Sequence, residues 1–231
     1  VQSYLSKLFF ACILTHSIYV KYSSEYDVLL KLFEPSSGGV VGNKSCPWHG
    51  NDPIYKRYHD EEWGIPCRDE AKLFEFMVLE GAQAGLSWIT ILRKRENYRK
   101  AFADFNVEIV SRFNENDFAR LMNEKGIVRN RAKIVSAQNN ACCFIRVQAE
   151  FGSFSNYLWD FFDDEPLINR WQDFEQIPST TELSQLISRD MRARGFKFFG
   201  PTICYSYLQA MGFINDHLQH CFRWSECQTS S

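Results

Sequence analysis

The sequence predicts an all-α protein on three observations. Apolar residues recur at helical spacing, as in Leu73, Phe74, Met77 and Val78. Helix stop signals close several such runs, with Gly126, Gly195 and Gly212 at their ends. Sustained period-2 alternation, the mark of half-buried strands, is scarce.

Each element follows in order. Tyr55 and Tyr58 stand one helical turn apart. Asp60 or Asp69 is the candidate cap for the run that ends at Glu80. Ser87 to Leu92 starts another helical piece, and Glu96 to Phe105 continues after it. Asn114 or Asn116 caps a helix bearing Phe118, Leu121 and Met122, which Gly126 stops as a left-handed C-terminal residue. Residues 130–151 form a long helical run containing Ile134, Val135, Ala141 and Ile145. Thr180 or Thr181 opens a later helix with Leu183, Leu186, Ile187 and Met191, closed by Gly195. Pro201 to Met211 is a helix with Pro in its first turn and Gly212 at its end. Upstream, Ser36-Ser37-Gly38-Gly39-Val40-Val41-Gly42 reads as a linker. It separates an extension, residues 1–44, to which no function is assigned, from one domain over 45–226.

Composition narrows the function classes. With 45% hydrophobic and 23% charged residues, the chain reads as a soluble globular protein with a real core. Most of its 20 phenylalanines belong to that core. A net charge of −2 excludes a polycation. Nucleic-acid binding would have to come from local clusters: Arg93-Lys94-Arg95 with Arg99-Lys100; Arg129 with Arg131 and Lys133; Arg192 with Arg194 and Lys197. Taken singly, each cluster reads as a solvated helix face. The apolar run Leu8 to Val20 is too short and too polar to span a membrane. The eight cysteines, with Cys142 and Cys143 adjacent, fit a reducing compartment better than a disulfide scaffold. We expect a monomer in a reducing compartment, the cytoplasm at the nucleoid if the source is bacterial and an unassigned location if it is eukaryotic.

Three constellations carry chemistry. In Leu121-Met122-Asn123-Glu124-Lys125-Gly126-Ile127-Val128-Arg129-Asn130, a helix meets a tight turn before the next helix. Backbone N–H groups at such a helix start bind phosphate oxygens, and Arg129, Arg131 and Lys133 add charge. Cys46, His59, His217 and Cys221 are suited to tetrahedral Zn²⁺ in a closed, structural site. On a helix, His217 and Cys221 would share a face; His220 and His49 are competing ligands. Trp48, Tyr55, Tyr58, Trp63 and Trp88 surround the carboxylate of Glu80 in sequence. Stacking on a base contributes about 1–3 kcal/mol, and a carboxylate accepts from an exocyclic amine and offsets positive charge.

Together these residues resemble the 3-methyladenine DNA glycosylase I family, the constitutive bacterial type. The resemblance runs from about Cys46 to Cys221. It rests on Asp52-Pro53, Tyr58-His59-Asp60, Glu62-Trp63-Gly64, Leu79-Glu80-Gly81, Ala84-Gly85-Leu86-Ser87-Trp88-Ile89-Thr90 and Lys94-Arg95-Glu96-Asn97-Tyr98-Arg99. Downstream it rests on Arg194-Gly195-Phe196-Lys197-Phe198, Thr202-Ile203-Cys204-Tyr205-Ser206 and Asn215-Asp216-His217.

The resemblance implies a two-lobed helix-hairpin-helix fold with a DNA cleft between the lobes. It implies structural zinc on Cys46, His59, His217 and Cys221, joining the start and end of the domain. It implies that Glu80 reads the methylated adenine, with Tyr55, Tyr58 and Trp88 lining the pocket and Trp48 nearby. Gln83, Gly85 and Leu86 would approach double-stranded DNA, with Leu86 as a wedge behind the flipped nucleotide. Gly126 and Val128, in the hairpin, would hold a backbone phosphate. Two absences sharpen the implied activity. No Asp occurs between Asp117 and Asp160, and Asn130 stands where bifunctional relatives carry a nucleophilic Lys. The expected enzyme is therefore a monofunctional hydrolase that leaves an abasic site.

Overall fold

The structure, a computed structural model, describes residues 44–228. It is mainly helical, with eleven α-helices and two short strands among the described residues. In chain order the first helices are α1 (Pro53–Glu61), α2 (Glu70–Gln83), α3 (Trp88–Leu92), α4 (Arg95–Ala101), α5 (Val107–Ser111) and α6 (Glu115–Asn123). Then come α7 (Arg131–Phe151), α8 (Phe154–Trp159), β1 (Leu167–Ile168), α9 (Glu182–Ala193), α10 (Pro201–Ala210), β2 (Ile214–Asn215) and α11 (Phe222–Glu226). The two strands pair in parallel, with Leu167 opposite Ile214.

Helix α2 forms the centre. Leu73, Phe74, Phe76, Met77, Val78 and Leu79 are all buried, so it is enclosed on every side, with Glu75 and Glu80 as its buried charged groups. Asp69 caps its first turn by accepting from Lys72 N–H at 2.8 Å, whereas Asp60 lies in the last turn of α1. Glu70 reaches across to α8, where its carboxylate accepts from the N–H groups of Phe154 (3.0 Å) and Ser155 (2.7 Å). Phe74 meets Phe144 of α7 edge-on at 5.5 Å. The Tyr207 hydroxyl of α10 donates to Leu73 C=O at 3.0 Å. The N-terminal half of α2 is thereby braced by three other helices.

Several expectations resolve or change. Asn114 caps α6 rather than Asn116, Thr181 caps α9 rather than Thr180, and Asn130 caps α7. The run 96–105 is broken: α4 ends at Ala101, and a 3-10 turn follows over Ala103–Phe105. The Gly126 expectation is corrected. Helix α6 ends at Asn123 with Glu124 as its C-cap, and Gly126 is absent from the positive-φ residues. Its glycine serves close approach instead, since a Cβ there would lie 2.7 Å from Asn97 Cβ. His217 and Cys221 are likewise not on one helix. They occupy the turn between β2 and α11, and Cys221 N–H closes that turn onto Leu218 C=O at 2.7 Å.

Gly212, after α10, has φ +68° and crosses the backbone of residues 65 and 66. A Cβ there would stand 2.2 Å from the Ile65 carbonyl carbon, and backbone cannot yield as a flexible side chain does. Gly212→Ala is therefore expected to cost about 4 kcal/mol or more. Urea denaturation checks this; an unchanged midpoint would mean the two segments separate freely.

Candidate functional site

One cavity of about 400 Å³ gathers most of the pocket residues singled out in the sequence: Trp48, Tyr55, Tyr58, Trp63, Glu80, Gln83 and Trp88. Each arrives for a local reason. Asp52 and Pro53 start α1, the Asp52 carboxylate accepting from Ile54 N–H (2.9 Å) and Tyr55 N–H (3.1 Å). That helix sets Tyr55 and Tyr58 on one face. A 3-10 turn at Pro47–His49 brings Trp48 against Tyr55 at 4.9 Å and Trp63 at 5.0 Å. Tyr58, Phe76 and Trp88 pack mutually, with centroids 5.6–6.2 Å apart. Behind them Arg95 lies over Phe76 and bridges Glu62 and Glu75 at 2.8 Å each. This ties α1, α2 and α4 into one rigid wall.

Glu80 is 3% exposed. Its Oε2 has no hydrogen-bond partner, and the indole Nε1 atoms of Trp48 and Trp88 have none either. Three buried polar atoms in one cavity lack partners in a protein where such atoms are nearly always satisfied. Burial pushes the Glu80 carboxyl up to about 8, because no donor or cation compensates the desolvated charge. Burial, with the Glu80 charge second, also raises the Tyr55 and Tyr58 phenols.

Sequence reasoning missed the opposite wall. Phe174, Ile177, Pro178 and Ser179 come from the loop before α9. Thr202, Tyr205, Ser206 and Gln209 come from one flank of α10. The buried carboxylate of Asp216 takes the Tyr205 hydroxyl, Gln209 Nε2 (2.7 Å), Trp171 Nε1 (2.7 Å) and Asn169 Nδ2 (2.7 Å). The only signal for this wall was the string Thr202 to Ser206, to which no role was attached.

The residues expected to face DNA lie at the surface near α2, α6 and α7. Leu86 is 42% exposed, just after Gly85. At the turn between α6 and α7, Gly126 N–H donates to Glu124 Oε1 at 2.7 Å, and Val128 N–H to the Tyr98 hydroxyl at 3.0 Å. The amides at these two positions are thus engaged within the chain. Lys133, in the first turn of α7, donates to the C=O groups of Ala82 (2.8 Å) and Ala84 (2.6 Å). It closes the C-terminal end of α2.

Cys46, His59, His217 and Cys221 do converge. Their ligand atoms lie within 4.8 Å of one another, and all four residues are buried. Cys221 Sγ is 3.5 Å from His59 Nε2 and 3.7 Å from His217 Nδ1; Cys46 Sγ is 3.7 Å from His217 Nδ1. The outer nitrogens face acceptors: His217 Nε2–H donates to Trp63 C=O (2.9 Å), and His59 Nδ1–H to Asp60 Oδ1 (2.7 Å). Both rings thus turn a lone pair toward the sulfurs. A hydrogen bond from Cys46 favours the thiolate at Cys221, and burial favours neutral His217. The set is able to hold a metal ion. His220 is exposed and outside it. His49 spends Nε2 on Ser45 and Nδ1 on Gly50 C=O.

The described residues thus form a helical protein whose aromatic-lined cavity holds an unpartnered carboxyl acceptor and two unpartnered indole donors, a lining with the shape and polarity for a flat ring bearing both donors and acceptors. The chain has relatives across most of its length. The profile of the methyladenine glycosylase family matches residues 48–224, and the chain belongs to that family. It is 44% identical to DNA-3-methyladenine glycosylase 1 of Escherichia coli K12, over 76% of this chain and 94% of that protein. It is 42% identical to the DNA-3-methyladenine glycosylase of Haemophilus influenzae, over 80% and 98%. Among solved structures, a crystal structure of 3-methyladenine DNA glycosylase I superposes with a TM-score of 0.75 at 44% identity, covering 78% of this chain and 98% of that one. The Staphylococcus aureus enzyme, solved for the structural basis of 3-methyladenine recognition, gives 0.75 at 36% identity, covering 78% and 96%.

Proposed function

We propose that this chain is a DNA repair glycosylase. It hydrolyses the N-glycosidic bond of 3-methyladenine in alkylated DNA and leaves an abasic site, the first step of base excision repair. The observation that carries this is the buried, unpartnered Glu80 in its aromatic pocket, in a member of the methyladenine glycosylase family.

Methylation at N3 makes adenine cationic and weakens its bond to the sugar. The nucleotide leaves the stack to reach the pocket, at less cost when damaged. Tyr55, Tyr58, Trp48 and Trp88 then offer ring faces, each giving roughly 0.5–2 kcal/mol to a cation. Glu80 accepts from the exocyclic amine and compensates the positive charge. Normal adenine brings no charge to compensate. Water attacks the developing oxocarbenium ion. In a helix-hairpin-helix arrangement of two lobes, Gln83, Gly85 and Leu86 approach duplex DNA, and Leu86 fills the space of the extruded nucleotide. Gly126 and Val128 shape the phosphate-binding hairpin. With their own N–H groups engaged, the free amides at the start of α7 do the donating.

The metal is zinc in a structural role. Tetrahedral Zn²⁺ with Zn–S near 2.3 Å and Zn–N near 2.05 Å has S···N edges of about 3.6 Å; three of the six edges here are 3.5–3.7 Å, and all lie within 4.8 Å, so the set would draw in slightly on the ion. The hydrogen-bonded outer nitrogens complete the usual support of such ligands. Zinc would hold the two ends of the domain together and takes no part in the hydrolysis. Lys133 is committed to two carbonyls and Asn130 to its cap, in keeping with hydrolysis rather than strand cleavage.

Release of free 3-methyladenine from methylated duplex DNA, followed by chromatography, tests the activity; binding without release would leave a damage sensor. The carboxyl adds a pH signature. Below about pH 8 Glu80 carries a proton that a cationic ligand must displace. Affinity for a permanently cationic N-methylated adenine is expected to rise about tenfold per unit from pH 6 toward 8 and then level off. Calorimetry across pH 6–9 checks this, and a flat profile would remove Glu80 from recognition.

A further inference from the structure

The pocket leaves one concentration of charge unused. Arg189 and Arg192 on α9, with Lys197 and Phe198 from the loop before α10, line a separate groove of about 680 Å³. None of the three cations joins an ion pair among the described residues. The carboxylates nearby are committed elsewhere. Asp190 takes Arg194 and the Tyr157 hydroxyl, and Glu150 takes Arg194. In a chain of net charge −2, this is a local cluster of positive charge without an ion-pair partner among the described residues.

The loop is held stiff. The Asn140 side chain accepts from Lys197 N–H at 2.8 Å and donates to Lys197 C=O at 2.9 Å. Asn139 donates to Gly195 C=O at 2.9 Å, and the Ser188 hydroxyl to Phe199 C=O at 2.8 Å. On this braced loop Phe198 is 38% exposed and left-handed, with φ +50°. Displaying a large ring in a disfavoured backbone state costs free energy that its own burial does not return.

Position supplies the ligand. Phe198 Cβ lies 3.8 Å from where a Cβ on Gly81 would be, and Gly81 directly follows Glu80. The loop therefore abuts the end of α2 that leads to Leu86. Its far end opens α10, whose flank lines the pocket. We propose that Lys197, Arg192 and Arg189 form a second phosphate track, holding the DNA strand beside the extruded nucleotide. Phe198 packs against the sugar and base edge at its start. This rests on the glycosylase reading, because the occupant is that enzyme's substrate.

The test compares the full chain with the triple variant Arg189→Ala, Arg192→Ala, Lys197→Ala, using fluorescence anisotropy on undamaged duplex from 50 to 300 mM salt. Each phosphate contact contributes roughly 0.9 to the slope of log affinity against log salt, so the variant's slope should fall by about 2–3. Excision rate at saturating DNA and melting temperature should be unchanged. Arg189→Lys with Arg192→Lys should restore the slope lost on substitution of those two by Ala, which a purely structural role would not require. Phe198→Ala should weaken binding without altering the slope. An unchanged slope in the triple variant overturns the proposal. So does loss of pyrophosphate binding alone, which would assign the groove to a small anion. Because the readout uses undamaged duplex, a wild type that binds DNA yet releases no base would sink the glycosylase reading and still leave this comparison decisive.

Discussion

Glu80→Gln is expected to lower excision of 3-methyladenine by about 100-fold or more, the scale seen when one preorganised electrostatic group is removed. The amide keeps the shape and one acceptor oxygen but loses the charge that opposes the cationic base. Folding should not suffer. The wild-type carboxyl is raised to about 8 in the fold, above its unfolded value near 4.3. The folded state thus binds more protons than the unfolded one between these values. Wild-type stability is therefore expected to fall as pH rises from about 5 to 8, while Gln has nothing to ionise. The variant should match the wild type near pH 5 and be the more stable of the two at pH 8. Single-turnover excision and urea unfolding at both pH values check this. Undiminished excision would remove Glu80 from the chemistry, and a variant destabilised at pH 8 would mean that its carboxylate is a structural partner.

Cys221→Ser should abolish stoichiometric zinc and cost about 3–5 kcal/mol of stability. The loss should reach the pocket. Cys46 and Trp48 are separated by one residue, and Trp48 packs on His59 at 5.2 Å and Trp63 at 5.0 Å. Trp63 in turn lies 4.5 Å from His217. A loosened ligand set leaves Trp48 without its backing, so affinity for 3-methyladenine should weaken along with stability. Cys204→Ser is the control: this thiol is buried and free but outside the cluster, and it should keep its metal. Elemental analysis of purified protein decides first. Wild type without zinc would overturn the ligand assignment.

Most of the helical order was legible because caps and apolar periodicity are local signals. The inner pocket wall, Tyr55, Tyr58, Glu80 and Trp88, was legible only through the family resemblance, because each of these residues taken alone reads as core or as a solvated carboxylate. The outer wall was not. Residues 174–179 reach the cavity only because the loop before α9 folds over it, and Tyr205 and Gln209 are set by Asp216, whose partners span residues 169 to 209. No local pattern encodes such a meeting. Gly126 was misread because one letter serves two needs: a left-handed turn and close approach to Asn97 look the same in sequence. The spacing of His217 and Cys221 fits a helix and also the tight turn that forms. The engagement of Gly126 and Val128 N–H groups depends on Glu124 and on Tyr98, 30 positions away from Val128.

The convergence of Cys46, His59, His217 and Cys221 also imposes an order on biosynthesis. Cys46 and His217 are 171 positions apart, and Phe222 N–H bonds to Lys44 C=O at 3.0 Å. A nascent chain leaves the ribosome with Cys46 and His59 exposed long before their partners exist. The cluster can therefore close only after nearly all of the domain has emerged. The proposed zinc would then act as a latch on a finished molecule, and a truncated product ending before Cys221 would lack a ligand for it.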